Sequence, residues 1–168
     1  KNFLYKNLGG NNMELVTGIS PVTDLFSSRN VSWSDIDSDG DLDLYVTNEN
    51  GEKENLYRNN GGGSFEKIND LMITTDGFNT MSSSWGDIDN DGDLDLFLAN
   101  DGSKNQLFRN EGNFVFTRML TTDVSKVNAK SFSSAWADID NDGDLDLFVT
   151  NAFQSGQRLK NNLYLNDG

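Results

Sequence analysis

The chain has 168 residues, enough for one ordinary domain with its own core, and an aromatic content of 11% argues against disorder although only 35% is hydrophobic. A formal charge of −14, from 27 acidic and 13 basic residues, argues against nucleic acid or anionic membrane as a partner. With no cysteine and no histidine, disulfides, zinc–thiolate sites, thiol nucleophiles and the commonest general base are excluded.

In chain order, Asn2–Asn7 is a short aromatic segment and Glu14-Leu15-Val16 a second strand beside it. Small residues then lead into Trp33, two positions before the run Asp35-Ile36-Asp37-Ser38-Asp39-Gly40-Asp41-Leu42-Asp43. An apolar strand follows at Leu44-Tyr45-Val46, then an Asn/Gly turn at Asn48–Gly51, the aromatic segment Asn55–Asn59, a glycine turn, and Ser64–Ile68. The pattern begins again with Met81–Trp85 and a second acidic run, Asp87–Asp95, followed by Leu96-Phe97-Leu98, a turn at Asn100-Asp101-Gly102, Gln106–Asn110 and Asn113–Thr117. A third copy has Ser131–Trp136, Asp138–Asp146, Leu147-Phe148-Val149 and Asn162–Asn166.

The acidic runs start 52 and 51 residues apart. A period of that size signals a propeller, solenoid or array, and four short strands per unit is the arithmetic of a propeller blade. Sixteen glycines, a single proline and no sustained 3.6-residue period predict an all-β chain with almost no helix. The strands count as two, four, four and three. This divides the chain into the end of a preceding blade (1–28), two complete blades (29–78 and 79–128) and an incomplete one (129–168). The residues are therefore expected to be part of a longer protein, or to have their sheets completed by neighbouring chains. No leader or membrane-spanning run is seen, so an extracellular origin implies a mature or excised segment.

Carboxylates at every second position, with glycine sixth, point to a cation, because like charges packed so closely repel. A hard ion such as Ca2+ takes about 6–8 oxygens, which alternate residues of a tight loop can supply. Three Ca2+ ions would offset six of the fourteen net negative charges. Loops of this strength fill where Ca2+ is abundant, which places the chain outside the cell. An EF-hand needs a glutamate at position 12 and flanking helices, but Val46, Leu98 and Val149 stand there.

The phrase Trp85-Gly86-Asp87-Ile88-Asp89-Asn90-Asp91-Gly92-Asp93-Leu94-Asp95-Leu96-Phe97, with the hairpin Asn55–Phe65, resembles the FG-GAP/VCBS repeats of integrin-α-like propellers and bacterial surface proteins. The resemblance implies four-stranded antiparallel blades with the loop between the first and second strands. Loop positions 1, 3, 5 and 9 would give side chains and position 7 a carbonyl. The implied ligands are Asp35, Asp37, Asp39 and Asp43 with Asp41; Asp87, Asp89, Asp91 and Asp95 with Asp93; and Asp138, Asp140, Asp142 and Asp146 with Asp144. Aspartate at position 7 departs from the neutral residue of integrin propellers and adds charge.

Repetition in every unit makes the loops read as staples of the turn rather than as sensors. Trp33, Trp85 and Trp136 read as packing between blades rather than as a sugar-stacking set. Arg58 and Arg109 read as solvated or paired with nearby acids, and Asn30-Val31-Ser32 is a glycosylation sequon beside an inner strand. Without His or Cys, and with the paired carboxylates committed to the loops, no catalytic set is expected. The expected function is an extracellular, calcium-stabilised repeat with a structural or adhesive role, self-assembling or flanked by further blades. Two alternatives are a glycan- or protein-binding module using the turns 51–54 and 152–157, and a non-catalytic part of a propeller-type polysaccharide-degrading enzyme.

Overall fold

The computed structural model describes residues 2–126, 128–154 and 156–168. A hairpin of β1 (Leu4–Gly9) and β2 (Asn12–Val16) precedes a four-stranded antiparallel meander, β3 (Ser28–Ser34), β4 (Asp43–Asn48), β5 (Asn55–Asn59) and β6 (Phe65–Ile68). One turn of helix, α1 (Met72–Thr75), leads to the second meander: β7 (Thr80–Gly86), β8 (Asp95–Lys104), β9 (Gln106–Asn110) and β10 (Phe116–Arg118). A 3₁₀ turn at Asp123–Ser125 precedes β11 (Asn128–Ala137) and β12 (Asp146–Asn151). The small hairpin β13 (Phe153–Gln154) and β14 (Gln157–Arg158) comes next, and then β15 (Asn162–Tyr164), which pairs with β12. Ser155, in the variable turn 152–157, lies outside the described residues. The chain is all-β, built of propeller-type antiparallel blades, with each acidic run linking the first strand of a blade to its second.

The registers repeat, with Trp33 opposite Leu44, Trp85 opposite Leu96 and Trp136 opposite Leu147. First strands of successive blades lie side by side. The hydroxyls of Ser32 and Ser83 are 2.8 Å apart, and those of Ser84 and Ser134 2.7 Å. Asn30 of the sequon accepts hydrogen bonds from Ser83 N and Oγ at 3.3 and 3.2 Å, so its amide is engaged between two strands.

Side chains of a strand alternate between its faces, and the second strands β4 and β8 are covered on both faces where they enter the sheet, whereas Phe148 of β12 is exposed. Tyr45 and Leu56 of the first blade join Leu96, Leu98 and Phe108 of the second in one core, closed by Ile36 from the acidic loop. Phe97, Ala99 and Leu107 turn the other way and pack with Leu147 and Val149 of the third blade. The tryptophans of the second and third acidic-loop blades reach back to the blade before them. Trp85 meets Tyr45 edge to face at 5.7 Å, its indole N–H donating to Ser32 Oγ, and Trp136 meets Phe97 at 6.4 Å. Trp33 packs on Phe65 of its own blade and keeps 42% of its surface exposed.

The structure departs from the strand boundaries expected in more than one place: the strand expected at Asn113–Thr117 covers only Phe116–Arg118, with Asn113 and Phe114 turning at positive φ. The turn predicted at Asn100-Asp101-Gly102 lies inside the ten-residue β8, whose far end pairs with β11 at Lys130↔Asp101 and Asn128↔Lys104. That pairing ties the second and third blades into one seven-stranded sheet. A single sequence carries no sign of it, because the paired residues lie 24 to 29 positions apart.

A second repeated device lies in the segments that enter each blade. Asp24 accepts hydrogen bonds from the Tyr57 hydroxyl at 2.8 Å and from Lys67 Nζ at 2.9 Å. Eleven residues before the second acidic run, Asp76 does the same for Gln106 Nε2 at 2.6 Å and pairs with Arg118. Lys67 lies 5.6 Å from the Tyr57 ring centre and Arg118 5.0 Å from that of Phe108. The incoming segment is thus pinned to the outer strands of the blade it enters. Its sequence mark was Thr-Asp-x-Phe, at Thr23–Phe26 and Thr75–Phe78.

Candidate metal centres

Each acidic run folds back on itself through its own carboxylates. At position 1, Asp35 accepts from Asp39 N and Gly40 N, both at 3.0 Å, and Asp87 accepts from Asp91 N and Gly92 N at 3.1 and 3.0 Å. Asp138 accepts from Asn141 N and Gly143 N at 2.7 and 3.1 Å. At position 5, Asp39, Asp91 and Asp142 each accept from the amide two residues on. These bonds require a backbone that turns through the left-handed region, and Gly92 at φ 97° occupies an angle that suits glycine alone.

Position 9 performs a different task. Asp95 is fully buried, and its two oxygens accept from Ile88 N at 2.8 Å and Asn110 N at 2.7 Å, joining the loop to the end of β9. Asp43 holds Ile36 N and Asn59 N in the same way, and Asp146 holds Ile139 N and Asn166 N. Burial pushes the Asp95 carboxyl up to about 6, and that of Asp43 upward too, against the lowering effect of these amide bonds. Asp89 is raised by burial and by the neighbouring Asp91. Position 9 therefore acts as a built-in staple before any cation is considered. Asp95→Asn leaves one amide facing an NH2 group, so the variant should lose about 2 kcal/mol of unfolding free energy in EDTA, measured by urea titration. A loss under ~0.5 kcal/mol would contradict this role.

The carboxylates converge in threes. Oxygens of Asp35, Asp37 and Asp39 lie within 4.8 Å of one another, as do those of Asp87, Asp89 and Asp95, and of Asp138, Asp140 and Asp146. Asp142 groups with Asp140 and Asp167. Asp91 and Asp43 lie outside these triads, as do Asp41, Asp93 and Asp144 at position 7. Two of the position 7 side chains face the neighbouring loop instead. Asn90 Nδ2 donates to Asp144 Oδ1 at 2.7 Å, and Ser38 Oγ to Asp93 Oδ1 at 3.4 Å. At Asp93 and Asp144, position 7 thus bridges blades.

The donor set fits a hard divalent cation. All the groups are carboxylates, and Asp37 Oδ1, on a side chain only 5% exposed, is buried with no hydrogen-bond partner. Arg58 fills part of that need, with Nη2 at 2.7 Å from Asp37 Oδ2 and 3.2 Å from Asp39 Oδ2. In the second loop Arg109 stands 3.8 Å from Asp89 and is bound to Glu111. Among the described residues, these clusters hold the groups best placed to bind a metal.

Four-stranded antiparallel blades strung on acidic strand-to-strand loops define a propeller-type repeat protein. A model of the FG-GAP-like repeat matches residues 35–98 and 87–149, and the chain belongs to that family. It is also similar to cartilage acidic protein 1 of Xenopus tropicalis, with 29% identity over a 183-residue alignment that covers 96% of this chain. The chain spans 28% of that relative's length.

Proposed function

We propose that the chain is a non-catalytic, calcium-stabilised stretch of an extracellular protein, with a structural or adhesive role. Its units are the end of one blade (1–28), two complete blades (29–78 and 79–128) and the start of another (129–168). The observation that carries the reading is the convergence of carboxylates at the same place in three successive blades, with an orphaned oxygen at Asp37 in the first. Each loop would hold one Ca2+ through Asp35, Asp37, Asp39 and Asp43; Asp87, Asp89, Asp91 and Asp95; or Asp138, Asp140, Asp142 and Asp146, with the position 7 carbonyls of Asp41, Asp93 and Asp144. The bound ion would neutralise the repulsion within a loop and fix the turn between two strands. Partners are then calcium, neighbouring blades, and a protein or glycan ligand met on the exposed turns.

The extracellular assignment is supported by the calcium levels such loops need and by the similarity to a relative named cartilage acidic protein 1. No helix among the described residues is long and apolar enough to cross a membrane. Isothermal titration with Ca2+ should give three ions per chain, and two when Asp87 and Asp89 are both changed to Asn. An absence of heat at millimolar Ca2+ would overturn the reading.

A further inference from the structure

The three loops are near copies, yet the strand residue that faces each of them differs. Arg58, Arg109 and Leu165 occupy one position in the repeat, followed two residues later by Asn60, Glu111 and Asp167. In the first loop the guanidinium lies between two proposed ligands, 2.7 Å from Asp37 and 3.2 Å from Asp39, and is braced 5.8 Å from the Phe114 ring centre of the next blade. In the second, Glu111 accepts from Arg109 Nε at 2.8 Å and Nη2 at 2.5 Å and draws it off, leaving it 3.8 Å from Asp89. In the third, Leu165 is exposed and brings no charge, while Asp167 adds a carboxylate beside Asp140 and Asp142.

We propose that this strand position ranks the loops for divalent cations, the third filling first, the second next and the first last, with Arg58 acting as a built-in competitor. The inference rests on the calcium reading above and concerns only the order of filling. Any cation that enters the first loop must displace a fixed positive charge from Asp37 and Asp39, or share them with it. The second loop meets this cost only partly, and the third does not meet it at all. Fixed positive charge at ion-pair distance is worth a factor of roughly five to ten in affinity at a partly exposed site.

The amides of Gly40, Gly92 and Gly143 each donate to the position 1 carboxylate of their own loop, so each reports its own site. Calcium titration of the ¹⁵N-labelled chain, followed by the NMR shifts of these three amides, should show Gly143 moving at the lowest calcium and Gly40 at the highest. R58L should lower the Gly40 midpoint roughly five- to tenfold and leave the Gly143 midpoint unchanged. L165R should raise the Gly143 midpoint by a similar factor. R58K, which keeps the charge, should stay near the parent value, whereas a purely packing role for Arg58 would make it behave like R58L. In EDTA, R58L should melt below the parent, because Asp37 and Asp39 lose their counter-ion, and in calcium the gap should close. Coincident midpoints, or a Gly40 midpoint unmoved by R58L, would overturn the ranking while leaving the calcium reading intact. Three amides unmoved by calcium would overturn both.

Discussion

Chelating calcium should lower the melting temperature of this chain by roughly 8–32 °C relative to millimolar Ca2+. A ligand that binds only the folded state stabilises it by RT ln(1 + [L]/Kd). With dissociation constants of about 10–100 µM, the middle to weak end of oxygen-ligand calcium sites, 1 mM ion contributes about 1.4–2.7 kcal/mol per loop. Three loops then give about 4–8 kcal/mol, and 1 kcal/mol moves the melting point by about 2–4 °C in a chain of this size. The physical source is repulsion among five aspartates in each loop, which the folded chain concentrates and the unfolded chain disperses. Differential scanning calorimetry in EDTA, in Ca2+ and in matched Mg2+ would measure this, and identical melting in EDTA and Ca2+ would sink the proposal. Magnesium should restore less, since it demands near-octahedral geometry and gives up its water reluctantly.

Changing Glu54 to glutamine should stabilise the chain by about 3 kcal/mol at pH 7, with an advantage that shrinks towards acid. Glu54 is 4% exposed and its Oε2 accepts from Asn48 N at 2.6 Å. The next two blades carry Asn105 and Asn161 at this place, with the same acceptor role towards Asn100 N and Asn151 N. Asn105 also donates its NH2 to Ser131 Oγ at 2.9 Å, and that hydroxyl donates to Asn151 Oδ1 at 2.8 Å. In the first blade the relay has a counterpart in Thr80 Oγ1, which donates to Asn100 Oδ1 at 2.9 Å and lies beside Glu54. Glu54 Oε1 is buried without a hydrogen-bond partner, and since the Thr80 hydrogen is committed to Asn100, a protonated Glu54 would supply the donor the relay lacks.

Burial accordingly raises the Glu54 carboxyl to about 8, from 4.5 in an open chain. Tyr45, itself fully buried and donating to Ile73 O, is raised by its burial and also by the Glu54 charge. An acid whose folded pKa lies above its unfolded value holds its proton more tightly when folded. Its contribution is therefore complete below pH 4.5 and is lost as pH rises towards 8, at about 1.4 kcal/mol per unit. Glutamine offers the same oxygen and a permanent donor, and removes that slope. Urea unfolding of both proteins at pH 5, 6, 7 and 8, in the same calcium buffer, would show the difference widening with pH; a difference independent of pH would refute the assignment.

Much of the fold was legible because it is written three times. The 51–52-residue spacing, the strand pattern and the acidic loops needed no partner to be recognised, since local turn chemistry and alternation are properties of short segments. The outer hairpin at Glu14–Val16 was legible for the same reason. The bridging role of Asp93 and Asp144, the pinning of Asp24 and Asp76 to Lys67 and Arg118, and the reach of β8 to β11 were not. Each joins residues from different repeats, or from segments some 40 residues apart, and a residue type gives no direction for its side chain. Even the clear apolar run Leu44-Tyr45-Val46 did not say which residue faces which blade.

By itself, then, the sequence determined the all-β repeat, the strand-to-strand position of the loops and an aspartate spacing that suits a hard cation. The loops and strands follow from spacing within about ten residues, and the repeat from the recurrence of that pattern every 51–52 residues. Tertiary structure decided which aspartates converge, and how their work divides between turn, staple and blade-to-blade bridge. It also decided that the chemically similar loops have different electrostatic surroundings, because Arg58, Arg109 and Leu165 act on them from a neighbouring strand. Coulomb forces depend on distance in space, and only the folded chain sets those distances.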